Sequence, residues 1–152
     1  MEVGLEIGTH RNRHVAKGEL VDALGLDDFV AIDGPERVGL LTFALRGREF
    51  EVVTIHVDRE HSGAGRALMD AAKDGADNLR ARRMWLTTTN NNFRAFRFYQ
   101  RWGMDLVAFY RDGVARSRLA KPSIPLVDGD GVPVRHELEF ELLLASADDH
   151  AP

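Results

Sequence analysis

Between Glu51 and Leu79 the hydrophobic rhythm of the chain changes across a glycine turn, and few folds accommodate that change. The run Glu51-Val-Val-Thr-Ile-His-Val57 is apolar and β-branched; Gly63-Ala64-Gly65 follows after five intervening residues; then Ala67, Leu68, Ala71, Ala72, Ala76 and Leu79 recur at helical spacing. The pattern predicts strand, glycine loop and helix in succession. The first turn of a helix has N–H groups without intrahelical partners and carries the positive end of the dipole, and glycines let an anion approach them closely. A pyrophosphate-bearing ligand is the expectation for such a seat. Gly63-x-Gly65 is also a fragment of a dinucleotide fingerprint. That fingerprint needs a parallel βαβ unit and a third glycine where this chain has Leu68, so it is set aside.

The segments on either side set the context of the loop. Residues 3–7 predict a short strand, and Lys17 to Leu24 a short helix closed by Gly25. Phe29–Ile32, the turn Asp33-Gly34-Pro35, Val38–Leu45 and the turn Arg46-Gly47-Arg48 then lead into the Glu51–Val57 strand, an antiparallel series. Arg80-Ala-Arg-Arg83 is expected as a solvated helix end, favoured there by the dipole. Met84–Thr89 predicts a strand. Asn91 and Asn92 suit a helix entry, with Ala95, Phe96, Tyr99 and Trp102 on one face and Gly103 as the stop. Leu106–Tyr110 is a further strand, Val114–Ala120 a helix that ends before Lys121-Pro122, and Asp128-Gly-Asp-Gly131 a turn. In His136–Leu144 the alternation of Leu138, Phe140, Leu142 and Leu144 predicts a last strand with one side buried.

Composition narrows the chemistry. At 152 residues and 44% hydrophobic, residues 1–145 are expected to form a single domain, with 146–152 a flexible tail. A net charge of −4 argues against a nucleic-acid surface and does not discourage a cationic amine drawn to a locally acidic cleft. The absence of cysteine removes thiolate nucleophiles and thiolate metal sites. His10, His14, His56, His61, His136 and His150 show no metal-ligand spacing, so no metal is expected. Without a basic leader or a long apolar run, neither signal peptide nor membrane span is read, and a cytoplasmic location is the expectation.

Two motifs taken together resemble the GNAT superfamily of acetyl-CoA-dependent N-acetyltransferases. In that family a loop R/Q-x-x-G-x-G/A opens a helix, and a later segment N-x-x-A-x-x-x-Y is followed by glycine and an apolar residue. Asn92, Ala95, Tyr99 and Gly103-Met104 match the second. The first is met by Gly63 and Gly65, with Glu60 where the family has Gln or Arg, or by Gly65 and Ala67, with Ser62 there; the first register is preferred because it leaves Leu68 and Met69 on the helix. The resemblance spans roughly residues 29 to 110 and implies an α/β (α+β) fold, a twisted, mostly antiparallel mixed sheet with helices on both faces.

It also implies roles. Backbone groups of Ile55, His56 and Val57 would bind the pantetheine arm of acetyl-CoA as an added strand would, and the amides of His61, Ser62, Gly63, Ala64, Gly65 and Arg66 its pyrophosphate. Arg66 either adds charge to a phosphate or is a solvated helix residue. Asn92 would bind the cofactor, act as an N-cap, or do both. Tyr99 would protonate the departing thiolate. Only a neutral amine attacks a thioester, so a base is needed; Glu51, where several family members carry a catalytic glutamate, is the candidate, with its alternation placing it on the face of Val53, Ile55 and Val57. His56 and Glu49 are alternatives. The expected reaction is direct acetyl transfer to a primary amine acceptor, the competing reading a non-catalytic CoA-binding or protein-interaction module. A homodimer is compatible with the sequence.

Overall fold

The computed structural model describes residues 5–9, 27–58 and 63–145. Seven strands make a mixed, mostly antiparallel sheet with helices. Two compact bodies divide the chain, one running to Met84 and resuming at Leu143, the other Trp85–Leu142.

In the first body β1 (Leu5–Thr9), β2 (Asp27–Asp33), β3 (Glu36–Arg46) and β4 (Glu49–Val57) form an antiparallel meander. The first strand is described over Leu5–Thr9 and overlaps the 3–7 read from the sequence, whose first two residues, like the helix read at Lys17–Leu24, lie outside the described residues. Gly34 and Gly47 sit at positive φ in the two hairpin turns, a conformation glycine adopts without Cβ strain. The helix α1 (Ala64–Asn78) follows the glycine loop as expected and buries Ala64, Leu68, Met69, Ala72 and Ala76. It lies against the face of β2 and β3 that carries Phe29 and Gly39. Gly39 lets the helix approach closely: a Cβ there would crowd Leu68 Cδ1 at 3.0 Å and the His56 carbonyl oxygen at 3.2 Å. On the same face Phe29, Phe43 and Phe50 form a stack with centroids 5.3 and 4.5 Å apart.

Two expectations fail in this body. The helix stops at Asn78, so Arg80–Arg83 is not a helix end; Arg80 turns the chain at φ 59°, and Arg82 and Arg83 reach Glu49 at 3.1 and 3.6 Å. The pairing of β3 with β4 also slips. Thr42 faces Thr54 but Phe43 faces Val52, which makes Val53 the extra residue of a β-bulge. Paired residues share a face, so Glu51, opposite Ala44, lies on the side of Thr42, Thr54 and His56, and not with Ile55 and Val57 as simple alternation implies. The Thr42–Thr54 hydroxyl contact of 2.7 Å marks that side.

The second body contains most of β5 (Arg83–Thr89), α2 (Phe93–Trp102), β6 (Asp105–Tyr110), α3 (Gly113–Ala120) and most of β7 (Glu137–Leu143), with β6 antiparallel to β7. Phe96 and Tyr99 of α2 rest on Phe140 of β7, with centroids 5.9 and 5.6 Å away. Gly113 and Ser117 of α3 meet Glu137, on the other face of that strand, so β7 has a helix on each side. The last strand therefore departs from the one-sided burial its alternation implies: Phe140 is buried, but so is Glu139. No helix among the described residues is long and apolar enough to cross a membrane.

Candidate active site

The glycine turn delivers the start of α1 bare. Gly63 is its N-cap at φ 94°, makes no side-chain cap, and no acidic residue stands in the first turn. The amides of Ala64, Gly65 and Arg66 precede the first intrahelical bond, made by the Ala67 N–H to the Gly63 carbonyl at 2.9 Å. Among the described residues no heavy atom lies within 4 Å of where a Gly63 Cβ would stand, so glycine is favoured there by its backbone angle. An uncapped helix start with no acidic neighbour in its first turn fits a phosphate. His61 and Ser62, and with them Glu60, lie outside the described residues.

Immediately upstream, Ile55, His56 and Val57 pair with Leu41, Leu40 and Gly39 on one edge of β4. The His56 imidazole lies 3.1 Å from the Asp58 carboxylate, and both side chains are well exposed. Glu51 is ion-paired with Arg46 and its side chain is 19% exposed. Glu49, the other carboxylate alternative, is taken up by Arg82 and Arg83.

Asn92 and Tyr99 belong to the second body. Asn92 caps α2: its Oδ1 accepts the Ala95 N–H at 3.2 Å, and its Nδ2 donates to Thr88 Oγ1 at 3.3 Å. Gly103 closes the helix at φ 127°. Tyr99 is 6% exposed, held between Phe98 and Phe140, and burial pushes its phenol up to about 12, because the phenolate would lose its water. The hydroxyl thus stays a proton donor at neutral pH.

Sequence reading missed the residues that organise the segment after α3. Asn90 donates from Nδ2 to the Pro133 carbonyl at 2.9 Å, and its Oδ1 accepts the N–H groups of Arg135 and His136, both at 2.8 Å. Asn91 donates to Asp128 at 3.1 Å, and Asp128 also accepts the N–H groups of Asp130 and Val132. These bonds hold the Asp128 carboxyl below the usual range, with the Val132 N–H contributing most. Arg118 of α3 donates to the carbonyls of Ile124, Pro125 and Val134. The signal available was the run Asn90-Asn91-Asn92, three amides in succession, of which only the last two were read, as a helix entry.

A cleft of about 790 Å³ lies between β5, β6, β7 and α3. Trp85, Thr87, Tyr110, Glu137 and Glu139 line it from the sheet, with Arg111 and Arg116 also in the lining. Glu139 accepts the Tyr110 hydroxyl at 2.7 Å. Among the described residues no group of three or more histidines and carboxylates is placed to hold a metal.

A strand, a glycine turn, an uncapped helix start and a later Asn-capped helix with an inward tyrosine define an acetyltransferase arrangement, and the comparisons agree. Residues 10–104, more than half of the chain, match the acetyltransferase (GNAT) family, and the chain belongs to it. The uncharacterized Bacillus subtilis protein YdhI is 32% identical over 120 residues, covering 78% of this chain and 75% of YdhI. Among solved structures, a Bacillus subtilis acetyltransferase in complex with CoA superimposes with a TM-score of 0.78 at 20% identity, covering 93% of this chain and 99% of that one. A GNAT family acetyltransferase from Elizabethkingia anophelis with acetyl-CoA bound does so with a TM-score of 0.78 at 15% identity, covering 94% and 100%. The resemblance read from the two motifs is thereby borne out.

Proposed function

We propose that this acetyltransferase moves the acetyl group of acetyl-CoA directly to a primary amine. The carrying observation is the start of α1 behind Gly63, where the amides of Ala64, Gly65 and Arg66 precede the first intrahelical bond and have no partner among the described residues. The family, and the two neighbours solved with CoA or acetyl-CoA, support the donor.

In this reading the loop from His61 to Arg66 holds the pyrophosphate, and backbone groups of Ile55, His56 and Val57 not used by β3 hold the pantetheine arm. The Asn92 carboxamide caps α2 and so fixes the entry of the helix that carries Tyr99; any hold on the cofactor comes in addition. The thioester supplies an activated acetyl carbon. The amine nitrogen forms the new C–N bond as the C–S bond breaks, Glu51 takes the proton the amine loses, and the Tyr99 hydroxyl gives one to the sulfur. Glu51 must exchange Arg46 for the acceptor to do this. No cysteine is available for an acyl-enzyme, which supports direct attack. The catalytic unit is residues 1–145, working in the cytoplasm.

The test is release of free CoA thiol from acetyl-CoA on addition of a panel of primary amines, with acetylated product identified by mass. Amine-dependent thiol release with a matching product is expected. Acetyl-CoA binding without transfer to any amine would leave a CoA-binding module in its place.

A further inference from the structure

Both ends of the Asn91 carboxamide are committed, and to different parts of the second body. Its Oδ1 accepts the hydroxyl of Thr89, the last residue of β5, at 2.6 Å, and its Nδ2 donates to Asp128 Oδ2 at 3.1 Å. An amide used at both ends cannot flip without losing both bonds. Asp128 is divided in the same way: its Oδ1 takes the N–H groups of Asp130 and Val132, which leaves Oδ2 to Asn91. Backbone bonds close the turn further, from the Asp128 N–H to the Val132 carbonyl at 2.9 Å and from the Gly131 N–H to the Asp128 carbonyl at 3.1 Å. Asn91 is thereby tied to a fixed acceptor 37 residues away.

The tie falls at the entry of α2. The Asn91 carbonyl accepts the Phe93 N–H at 3.0 Å, and Asn92 beside it is the N-cap. The cap bond, to the Ala95 N–H, lies within the first turn of α2 and stabilises the helix wherever it points. A bond to a separate, closed turn also sets its direction. That direction matters to Tyr99. Among the described residues its hydroxyl has no hydrogen-bond partner, and its ring is held by packing on Phe98 and Phe140, so where the hydroxyl stands follows where α2 stands.

We infer that Asn91 and Asp128 are a positioning pair: the bond between them fixes the entry, and with it the tilt, of the helix that carries Tyr99. Neither residue has to touch acetyl-CoA or the amine. The inference rests on the reading of the chain as an amine acetyltransferase with Tyr99 as its acid. A misplacement of about 1 Å in such a group costs on the order of 10²-fold in rate.

The bond has a direction, so it is tested by exchange. Asn91→Asp sets two carboxylates against each other. Asp128→Asn sets two amide N–H groups against each other while its oxygen still accepts the N–H groups of the turn. The double variant re-forms the bond with donor and acceptor exchanged, and Thr89 keeps an oxygen to donate to. Turnover of the full chain is read as CoA thiol released from acetyl-CoA with the primary amine that reacts fastest with the wild type, and acetyl-CoA affinity by calorimetry. Each single variant is expected to lose about 10- to 10²-fold in kcat with acetyl-CoA affinity retained, and the double variant to recover most of it. In a Tyr99→Phe chain, Asp128→Asn is expected to lower kcat by no more than about twofold, because the proton it helps to place is gone. Asn91→Ala, which leaves the Asp128 turn untouched, takes the place of Asp128→Asn should that variant fold poorly. Unchanged kcat in the single variants, a loss that the exchange does not recover, or an equal loss in the Tyr99→Phe chain overturns the pair and leaves acetyl transfer standing. A wild type that transfers to no amine overturns the pair together with the reading it rests on.

Discussion

Tyr99 combines burial with a protonated hydroxyl, and both properties have measurable consequences. As the acid for the leaving thiolate it contributes through a proton that Phe lacks. Tyr99→Phe is therefore expected to lower kcat by about 10²–10⁴-fold with acetyl-CoA affinity retained, and unchanged turnover would remove Tyr99 from the mechanism. The raised phenol also links to stability. In the unfolded chain the phenol ionises at its ordinary 10.0, in the folded one at about 12. Below pH 10 both states hold the proton and the term costs nothing; above it the unfolded state ionises first, so stability falls across pH 10 to about 12. The rise from 10.0 to about 12 corresponds to about 3 kcal/mol in order of magnitude. Thermal melts between pH 9 and 12 should show the wild type losing more stability than Tyr99→Phe; parallel losses would show that Tyr99 is not the group responsible. Glu51 teaches a different lesson. Its strand was legible, its face was not, because the slip at Val53 that moves it beside Thr42 and Thr54 depends on pairing with β3, and a single strand carries no sign of it.

At the scale of elements, the decisive junction is the passage from β4 to α1. Gly63 at φ 94° starts the helix without a side chain aimed at its amides. Gly63→Ala meets open space but forces an L residue into the left-handed region, at about 1–2 kcal/mol. Denaturant melts should show that loss, and acetyl-CoA titration a weaker complex, because the amides of Ala64, Gly65 and Arg66 shift with the turn. Unchanged affinity would mean that these amides do not hold the pyrophosphate. The junction was readable because a β-branched run, glycines and a helical repeat are local signals. So was α2, whose Asn92 cap and Gly103 stop stand in the sequence as chemistry. The end of α1 was not: Arg80–Arg83 reads as a solvated helix end, yet Arg80 turns the chain at φ 59° and Glu49, thirty-odd residues away, takes up Arg82 and Arg83. The alternation in β7 marks only its Leu/Phe side for burial, and only α3 and Tyr110, distant in sequence, show that Glu137 and Glu139 line a cleft.

For the molecule as a whole, the family was legible because two weak motifs occur in order about 30 residues apart, each on the element it requires. The cleft of the second body was not, since it is built by side chains from β5, β6, β7 and α3 that no short pattern joins. A net charge of −4 suits a donor held by backbone amides more than by a basic surface, and a cationic acceptor. The central claim is that this chain binds acetyl-CoA through the Gly63 turn and uses it. The most direct measurement is calorimetric titration of the purified protein with acetyl-CoA, run beside the dephospho form and nucleotides without the pantetheine arm. The account predicts saturable binding near the micromolar range, about 8 kcal/mol, which nucleotides lacking the arm do not reproduce. No binding, or equal binding of a plain nucleotide, would contradict it.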